Sequence, residues 1–375
     1  MTKTMNSLVL EAINQGVQIF GITPANIAGR GVGLVATRNL KSDEIIMVIP
    51  TEAIHSLHSI SKNVAQTLPA NMSLHGSLAA DLALHHNGSV KWTKSVPEWS
   101  DFEATLPYLW PEQLQRLLPV EAKDILTKQY TMFERDWGMF KNAFVEISKQ
   151  DYLYAWLIVN TRSFYYETSD TLRLPWHDRL SLLPAADLFN HADTGCSVSY
   201  SMESYTITTD RHYQKGDELY TSYGNHSNDF LLAEYGFLLK ENRWDKLCLN
   251  DVILPKLNSR HKAELTENGH TGTLMLHDDS RKHDDIWVAL RLLSSVDSQW
   301  QSYIDGEEDT EGTLAKAIAS LPPLLGEYLD AIQGIKLEIQ SLQVGTRRQK
   351  TLLTQRWDEI EAMVRRAIET AWFAM

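Results

Sequence analysis

Cysteine is nearly absent: Cys196 and Cys248 are the only two among 375 residues. Two cysteines cannot build a disulfide framework, and they fit a reducing compartment. No apolar run approaches the roughly 20 residues that a membrane-spanning helix requires. The opening Met1-Thr2-Lys3-Thr4-Met5-Asn6-Ser7 leads into too short an apolar stretch for a secretory signal, and no cleavage pattern follows it. The expectation is a cytosolic or nuclear protein. Positive charge is also short, with 35 Lys and Arg against 48 Asp and Glu and a net charge of -13. That balance argues against direct nucleic-acid binding, which needs a positive surface to displace counterions. It suits a basic protein partner, such as a ribosomal or histone-like one, and equally suits plain solubility. Several catalytic signatures are missing: His-Glu-x-x-His, Cys-x-x-Cys, the Walker loop and the Gly-x-Ser-x-Gly elbow. The pairs His55/His58 and His85/His86 are too unaccompanied to hold a metal, so none is expected.

What is present reads as strands, then helices, then strands, then helices. Short apolar runs at 17–20, 32–36 and 44–49 read as strands, divided by Gly29, Gly31, Gly33 and the turn Lys41-Ser42-Asp43. From about Ser73 the period becomes helical through Leu74, Leu78, Leu82 and His85-His86, and it continues over 113–118, 120–126 and 140–159. A Trp- and Pro-containing stretch, 96–108, reads as an ordered loop between them. Strands return at 197–201, 205–209 and 218–222. Beyond about Asn250 the chain is mainly helical, with amphipathic patterns over 313–332 and 347–372 and an acidic loop near 305–311. This order fits a β-rich domain split by a helical insertion and followed by a helical domain.

Four separated pieces carry the chemistry. They are Arg30-Gly31-Val32-Gly33-Leu34-Val35-Ala36, then Asn160-Thr161-Arg162-Ser163-Phe164, then Asp187-Leu188-Phe189-Asn190-His191. The last is Lys215-Gly216-Asp217-Glu218-Leu219-Tyr220-Thr221-Ser222-Tyr223-Gly224, closed by Tyr235-Gly236-Phe237. Gly31-x-Gly33-x-x-Ala36 matches the dinucleotide-binding fingerprint, but that fingerprint needs a strand before it and a helix after it. Here a loop-like stretch precedes and a strand follows, so the match is set aside. The better reading is a glycine loop whose backbone approaches a ligand closely.

Together these pieces resemble the SET-domain methyltransferases, in particular the class containing the RuBisCO large-subunit and ribosomal-protein lysine methyltransferases. Asp187 to His191 looks like the D-x-x-N-H box of that class, and residues 215–224 look like its K-G-E-E and Y-G segment. The resemblance covers roughly residues 15–250. It implies an α+β fold: 1–72 and 166–250 as the two parts of the SET domain, 73–165 as the helical insertion, and 251–375 as a helical domain that takes the protein substrate. It also implies that the segments holding Asn190-His191 and Tyr223 cross closely, an exception to the usual avoidance of threading.

The implied cofactor is S-adenosyl-L-methionine, leaving S-adenosyl-L-homocysteine. The resemblance gives Gly31, Val32 and Gly33 to its methionine part, and Arg162, beside Thr161, to its carboxylate, a task suited to a guanidinium fork. Asn190 and His191 would hold the adenine and the ammonium end, with Asp187 orienting the turn. Phe237 would stack on adenine, although an aromatic there serves a core equally well. Tyr223 is the expected chemical centre, orienting the methyl group and the incoming nitrogen. Phe164 and Tyr235 would line the channel for the substrate side chain, and Tyr220 reads as a packing residue. The reaction is an in-line displacement that depends on alignment and a dry channel. A lysine substrate must first lose a proton, which from a pKa near 10.4 costs about 4.6 kcal/mol at pH 7. An apolar channel offsets part of that.

Two alternatives stand beside lysine methylation. One branch of the class methylates a histidine of actin, and the resemblance suggests an asparagine there at the position of Phe164; an aromatic suits the aliphatic stem of lysine better. A non-catalytic scaffold that binds proteins through its helical tail would have no need of Asn190, His191 or Tyr223.

Overall fold

The computed structural model describes residues 9–85, 96–276, 284–306 and 310–373. The chain divides into two compact units, Met1–Phe102 with Thr127–His226, and Glu103–Leu126 with Ser227–Met375.

Among the described residues, ten strands belong to the first unit: β1 (Gln18–Ile19), β2 (Ile22–Ile27), β3 (Gly31–Ala36), β4 (Ile45–Pro50), β5 (Ser163–Tyr165), β6 (Leu180–Leu182), β7 (Asn190–His191), β8 (Ser197–Tyr200), β9 (Ser204–Thr208) and β10 (Glu218–Thr221). They form one sheet in the order β1-β4-β9-β8, a second in the order β2-β3-β10-β7, and the pair β5-β6. The pairings are antiparallel except β10 with β7, where Tyr220 lies opposite Asn190 and Thr221 opposite His191. A parallel pair needs a connection longer than a hairpin, and here the chain between the two supplies β8 and β9.

Strand formation follows the side chains. In β4 the apolar, largely β-branched run Ile45-Ile46-Met47-Val48-Ile49 puts Ile46, Met47 and Ile49 wholly out of solvent, and the strand ends at Pro50. These residues join Leu34, Leu183, Phe189, Ile207 and Leu219 in one apolar core. Each such burial stabilises the fold by roughly 1.5–3 kcal/mol before entropy is subtracted. β2 has no signature in the sequence because Pro24 interrupts Ile22-Thr23-Pro24-Ala25-Asn26-Ile27. It forms at the edge of its sheet, the position where a missing N–H can be tolerated.

Between the two groups of strands lie helices, so the α+β architecture of a β-rich domain split by a helical insertion is present. The helix Leu74–His85 packs along Lys149–Arg162, with His75 stacked on Trp156 at 4.3 Å and the Tyr152 hydroxyl donating to the Gly76 carbonyl. Its first turn is satisfied by Asp178, whose carboxylate accepts from the N–H of Leu74 and of His75. His85 ends this helix; His86 lies outside the described residues.

Several elements differ from the sequence reading. The stretch 96–108 is not a loop: it holds the helix Trp99–Thr105 and a 3-10 turn, Pro107–Leu109. One apolar face suffices there, since Phe102 alone is buried, and Asp101 accepts from the Glu98 N–H at the helix start. The helical run expected over 140–159 is two helices, Val120–Ala143 and Lys149–Arg162, because Ser148 caps the second by accepting from the Asp151 N–H. The acidic segment 305–311 is cut short by the helix Thr310–Ser341; its residues 307–309 lie outside the described ones.

The second unit is mainly helical, with Asn228–Tyr235, Asp285–Ser294, Thr310–Ser341 and Arg347–Phe373 and the short pair β11 (Leu247–Cys248) and β12 (Met275–Leu276). Its limits differ from the segment 251–375, since 103–126 belongs to it and it begins again at Ser227. Hydrogen bonds explain the difference. Trp357 Nε1 donates to the Leu117 carbonyl and Gln349 Nε2 to the Glu103 carbonyl, tying the last helix to 103–126. Inside the unit Arg356, fully buried, donates to Asp229 at 2.8 Å and to Asp245 at 2.6 Å. Burial opposes its charge, but the two carboxylates outweigh that and raise its pKa.

Candidate active site

The parallel pairing of β7 with β10 decides what meets what. Tyr223, two residues past β10, donates its backbone N–H to His191 Nδ1 at 3.0 Å and its hydroxyl to the Phe189 carbonyl at 2.6 Å. Its ring stacks on His191 with centroids 5.0 Å apart. The chain after His191 stays against β10, with Cys196 N–H donating to the Tyr220 carbonyl at 2.7 Å. A Cβ on Gly195 would lie 2.4 Å from that same carbonyl, so only glycine fits. The segments holding Asn190-His191 and Tyr223 therefore lie side by side in direct contact.

Electrostatics follow from this packing. Burial pushes the Tyr223 phenol up to about 12, so it stays protonated at physiological pH. Burial lowers the pKa of His191, which keeps its ring neutral and its Nδ1 an acceptor. Arg162 ends its helix and turns to the same place: its Nη1 donates to the Asp187 carbonyl at 2.7 Å and lies 3.9 Å from the Asp187 carboxylate. Asp187 sits in a 3-10 turn, Ala186–Leu188, entered through Ala185 at φ 66°, a left-handed conformation uncommon outside glycine.

The glycine segment forms the strand beside β10. Gly31 has φ 81°, and a Cβ there, as at Gly29, would meet nothing within 4 Å. Gly33 is the opposite case. A Cβ on it would lie 2.7 Å from Asn190 Nδ2 and 2.8 Å from Glu218 Oε1, so the bare backbone lets these two side chains come close. Val32 between them packs partly against the core.

A polar network fills the space that Gly33 leaves. Asn190 Nδ2 donates to Glu218 Oε1 at 2.7 Å, and the Tyr220 hydroxyl donates to Glu218 Oε2 at 2.7 Å. Arg30 donates to the Tyr220 oxygen at 2.8 Å and lies 3.4 Å from Glu218 Oε2. Tyr220 is thus more than a packing residue, and burial together with the Glu218 bond raises its pKa. Arg30 and Glu218 had no role in the sequence reading, because an arginine in a glycine loop and a carboxylate after a turn both read as solvated. The signal was the spacing of Glu218 and Tyr220, two apart in a strand and so on one face.

Other expected residues are placed as follows. Thr161 donates its hydroxyl to the Leu157 carbonyl of its own helix. Phe164, in β5, packs edge-on to Tyr205 with centroids 6.2 Å apart. Tyr235 and Phe237 belong to the second unit, with ring centroids 6.1 Å apart on either side of Gly236. Gly236 closes the helix Asn228–Tyr235 at φ 76°, and a Cβ on it would lie 2.8 Å from Thr105. Among the described residues no cluster of three or more His, Cys, Asp or Glu is arranged to hold a metal, and no helix is long and apolar enough to cross a membrane.

Known proteins resemble the chain in sequence and in fold. The family described as SET domain matches residues 31–224. The ribosomal lysine N-methyltransferase set11 of Schizosaccharomyces pombe is 26% identical over 328 residues, covering 82% of this chain and 84% of that protein. The actin-histidine N-methyltransferase of Danio rerio is 26% identical over 253 residues, 60% of this chain, and the match takes in 41% of that longer protein. Among solved structures, Rubisco LSMT bound to sinefungin and monomethyllysine superposes with a TM-score of 0.65 at 13% identity, covering 99% of this chain and 93% of that one. The SET domain of LSMT bound to lysine and AdoHcy gives a TM-score of 0.61, also at 13% identity, over 99% of this chain and 93% of that one. At such identity the likeness speaks for the fold.

Proposed function

Because this chain belongs to the SET-domain family, we propose that it is an S-adenosylmethionine-dependent protein methyltransferase acting on lysine. The observation that carries the chemistry is Tyr223, whose phenol is protonated and gives its hydrogen to the Phe189 carbonyl. A phenol that gives its hydrogen away keeps an oxygen able to accept from polarised methyl C–H and amine N–H groups. It does this without charge and without reorganising, which is the condition for preorganised electrostatic help.

The residues fit the cofactor. Gly29 and Gly31 border open space where a ligand can meet backbone. Arg162 supplies a cation whose five donors exceed the one bond drawn to the Asp187 carbonyl. Asn190 and His191 stand beside Tyr223. When bound, S-adenosylmethionine supplies an electrophilic methyl group on a sulfonium. Gly31, Val32, Gly33 and Arg162 hold its amino-acid end, Asp187 keeps Arg162 and the turn in place, and Thr161 serves by fixing its helix. Tyr223 aligns the incoming nitrogen, and the aromatic surface of Phe164 favours an uncharged lysine.

Lysine is preferred over histidine because Phe164 is an apolar ring packed on Tyr205, a wall that suits an alkyl stem and gives imidazole no hydrogen bond. The relatives include enzymes of both kinds. The segment 251–375 is assigned to docking the protein substrate, a basic one given the net charge of -13, and the reaction to the cytosol or nucleus. The test is incubation with methyl-labelled cofactor and a fractionated lysate, followed by mass-spectrometric mapping. Label on lysine supports the reading; label on histidine alone, or no cofactor binding by the folded protein, overturns it.

A further inference from the structure

We propose that Glu218 is a positioning residue that fixes the polarity of Asn190, turning its carbonyl oxygen toward the ammonium group of the bound cofactor. The inference rests on the methyltransferase reading above and concerns how the site distinguishes that ammonium.

An asparagine side chain offers two donors on one end and an acceptor on the other, nearly equal in shape. Nothing in its own geometry decides which end meets a ligand. Here a neighbour decides. Glu218 Oε1 lies 2.7 Å from Asn190 Nδ2, and a carboxylate attracts the amide NH2 while repelling the amide oxygen. Reversal would set two oxygens against each other, so the amide is locked with Oδ1 away from Glu218. An outward acceptor suits an ammonium; an outward NH2 would repel it.

Glu218 is itself held. Its other oxygen accepts from the Tyr220 hydroxyl at 2.7 Å and faces Arg30 at 3.4 Å, while Arg30 donates to the Tyr220 oxygen at 2.8 Å. The Arg30 guanidinium also lies 5.4 Å from the centre of the Tyr220 ring. The two carboxylate oxygens are therefore divided, one for Asn190 and one for the Tyr220–Arg30 pair, and the carboxylate cannot rotate without breaking both sides. The side chain of Glu218 is only 12% exposed, which limits competition from water. Gly33 makes the arrangement possible, since its missing Cβ leaves room for both Asn190 Nδ2 and Glu218 Oε1. Arg30 and Gly33 belong to the segment that would face the cofactor's amino-acid end, so one network sets both walls of that subsite.

The test is calorimetry of the full chain with S-adenosylhomocysteine and with its analogue in which hydrogen replaces the amino group. Glu218→Ala should weaken S-adenosylhomocysteine by about ten-fold, the scale of one hydrogen bond to a charged group. It should leave the deaminated analogue within about two-fold, because that ligand has no ammonium to meet. Glu218→Gln keeps the shape and can still accept from Asn190, so its loss should be smaller than that of Glu218→Ala; it guards against a folding defect. A purely structural role for Glu218 would lower both affinities together, and that result overturns the proposal. So does an unchanged affinity for S-adenosylhomocysteine in Glu218→Ala. Failure of the unmodified protein to bind either ligand would instead remove the methyltransferase reading, and this inference with it.

Discussion

Two charged networks anchor the two units, and they are built to different ends. Around Arg356 the guanidinium is fully buried, with Asp229 and Asp245 close on it and Glu359 3.5 Å away. Asn228 beside it donates to Glu359 and to the Leu239 carbonyl. Around Glu218 the arginine is half exposed, and the carboxylate accepts from a tyrosine and from the Asn190 amide NH2, which on the proposal above leaves the amide oxygen for the cofactor. The first arrangement closes on itself, as a buried charge must. The second ends in an oriented dipole. On the function proposed above, the difference separates a network that holds a fold from one that would meet a ligand: the latter ends in a group left to bind something else.

The comparison breaks most visibly at Arg356. Replacing it with methionine strands Asp229 in the interior, and we expect a loss of about 3–5 kcal/mol in denaturant unfolding. Removing both charges, with Arg356→Met and Asp229→Leu together, should restore much of that stability. No recovery in the double variant would mean that the cluster acts through packing and not charge.

Next in size is Tyr223→Phe. Methyl transfer should fall by roughly a hundred-fold, the scale for losing one preorganised polar contact in a transition state. Affinity for S-adenosylhomocysteine should stay within a few-fold, since the ring and the backbone bond to His191 remain. A normal transfer rate would falsify the assignment of the chemical centre.

A smaller effect should appear on acidification. The His191 pKa is lowered from 6.5 by burial. As pH falls below that value the unfolded state takes up its proton first, so stability declines until the folded ring is protonated too. A protonated ring cannot accept the Tyr223 N–H. Cofactor affinity by calorimetry should therefore stay level from about pH 8 down through 6.5 and fall only at lower pH, where the folded ring takes up its proton. An affinity that already falls between about pH 8 and 6.5 would contradict the neutral-acceptor role.

The smallest change is expected at the surface of the last helix. Arg347 and Arg348 are exposed there. Changing both to serine removes two positive charges that would repel a basic substrate, so transfer to the native protein substrate should rise by a few-fold, leaving cofactor affinity unaltered. Loss of cofactor binding in that variant would contradict a substrate-docking role for 251–375.

The sequence made some of this legible and hid the rest for physical reasons. Asn190, His191 and Tyr223 stood out because their types and spacing form a pattern. β7 did not, because two residues give no periodicity and its pairing with β10 is long-range. β2 was hidden by Pro24, which only an edge position tolerates. The helix Trp99–Thr105 was masked by its proline- and tryptophan-rich flanks, since propensity alone did not reveal that one Phe102 contact would order it. Gly33 was singled out as a glycine, but the reason lies across the sheet in Asn190 and Glu218. A glycine's sequence neighbours do not show which side chain takes the place of its Cβ.

The parallel contact of β7 with β10 also bears on how the protein is made. Arg30 and Tyr220, hydrogen-bonded, are separated by 190 positions, and Asn190 and Glu218 by 28. Contacts so distant along the chain form only after long loops have closed, which makes them late events in folding. During synthesis the glycine strand emerges early with β2 as its first partner and must wait for residues 218–221 before its second partner, β10, exists. In the proposed site, cofactor binding would have to wait until about three fifths of the chain, 223 of 375 residues, has been made and β10 has paired. Ligand affinity would serve as a sensor of folding completed in this unit, and S-adenosylhomocysteine in refolding buffer should slow unfolding without hastening the early steps of folding.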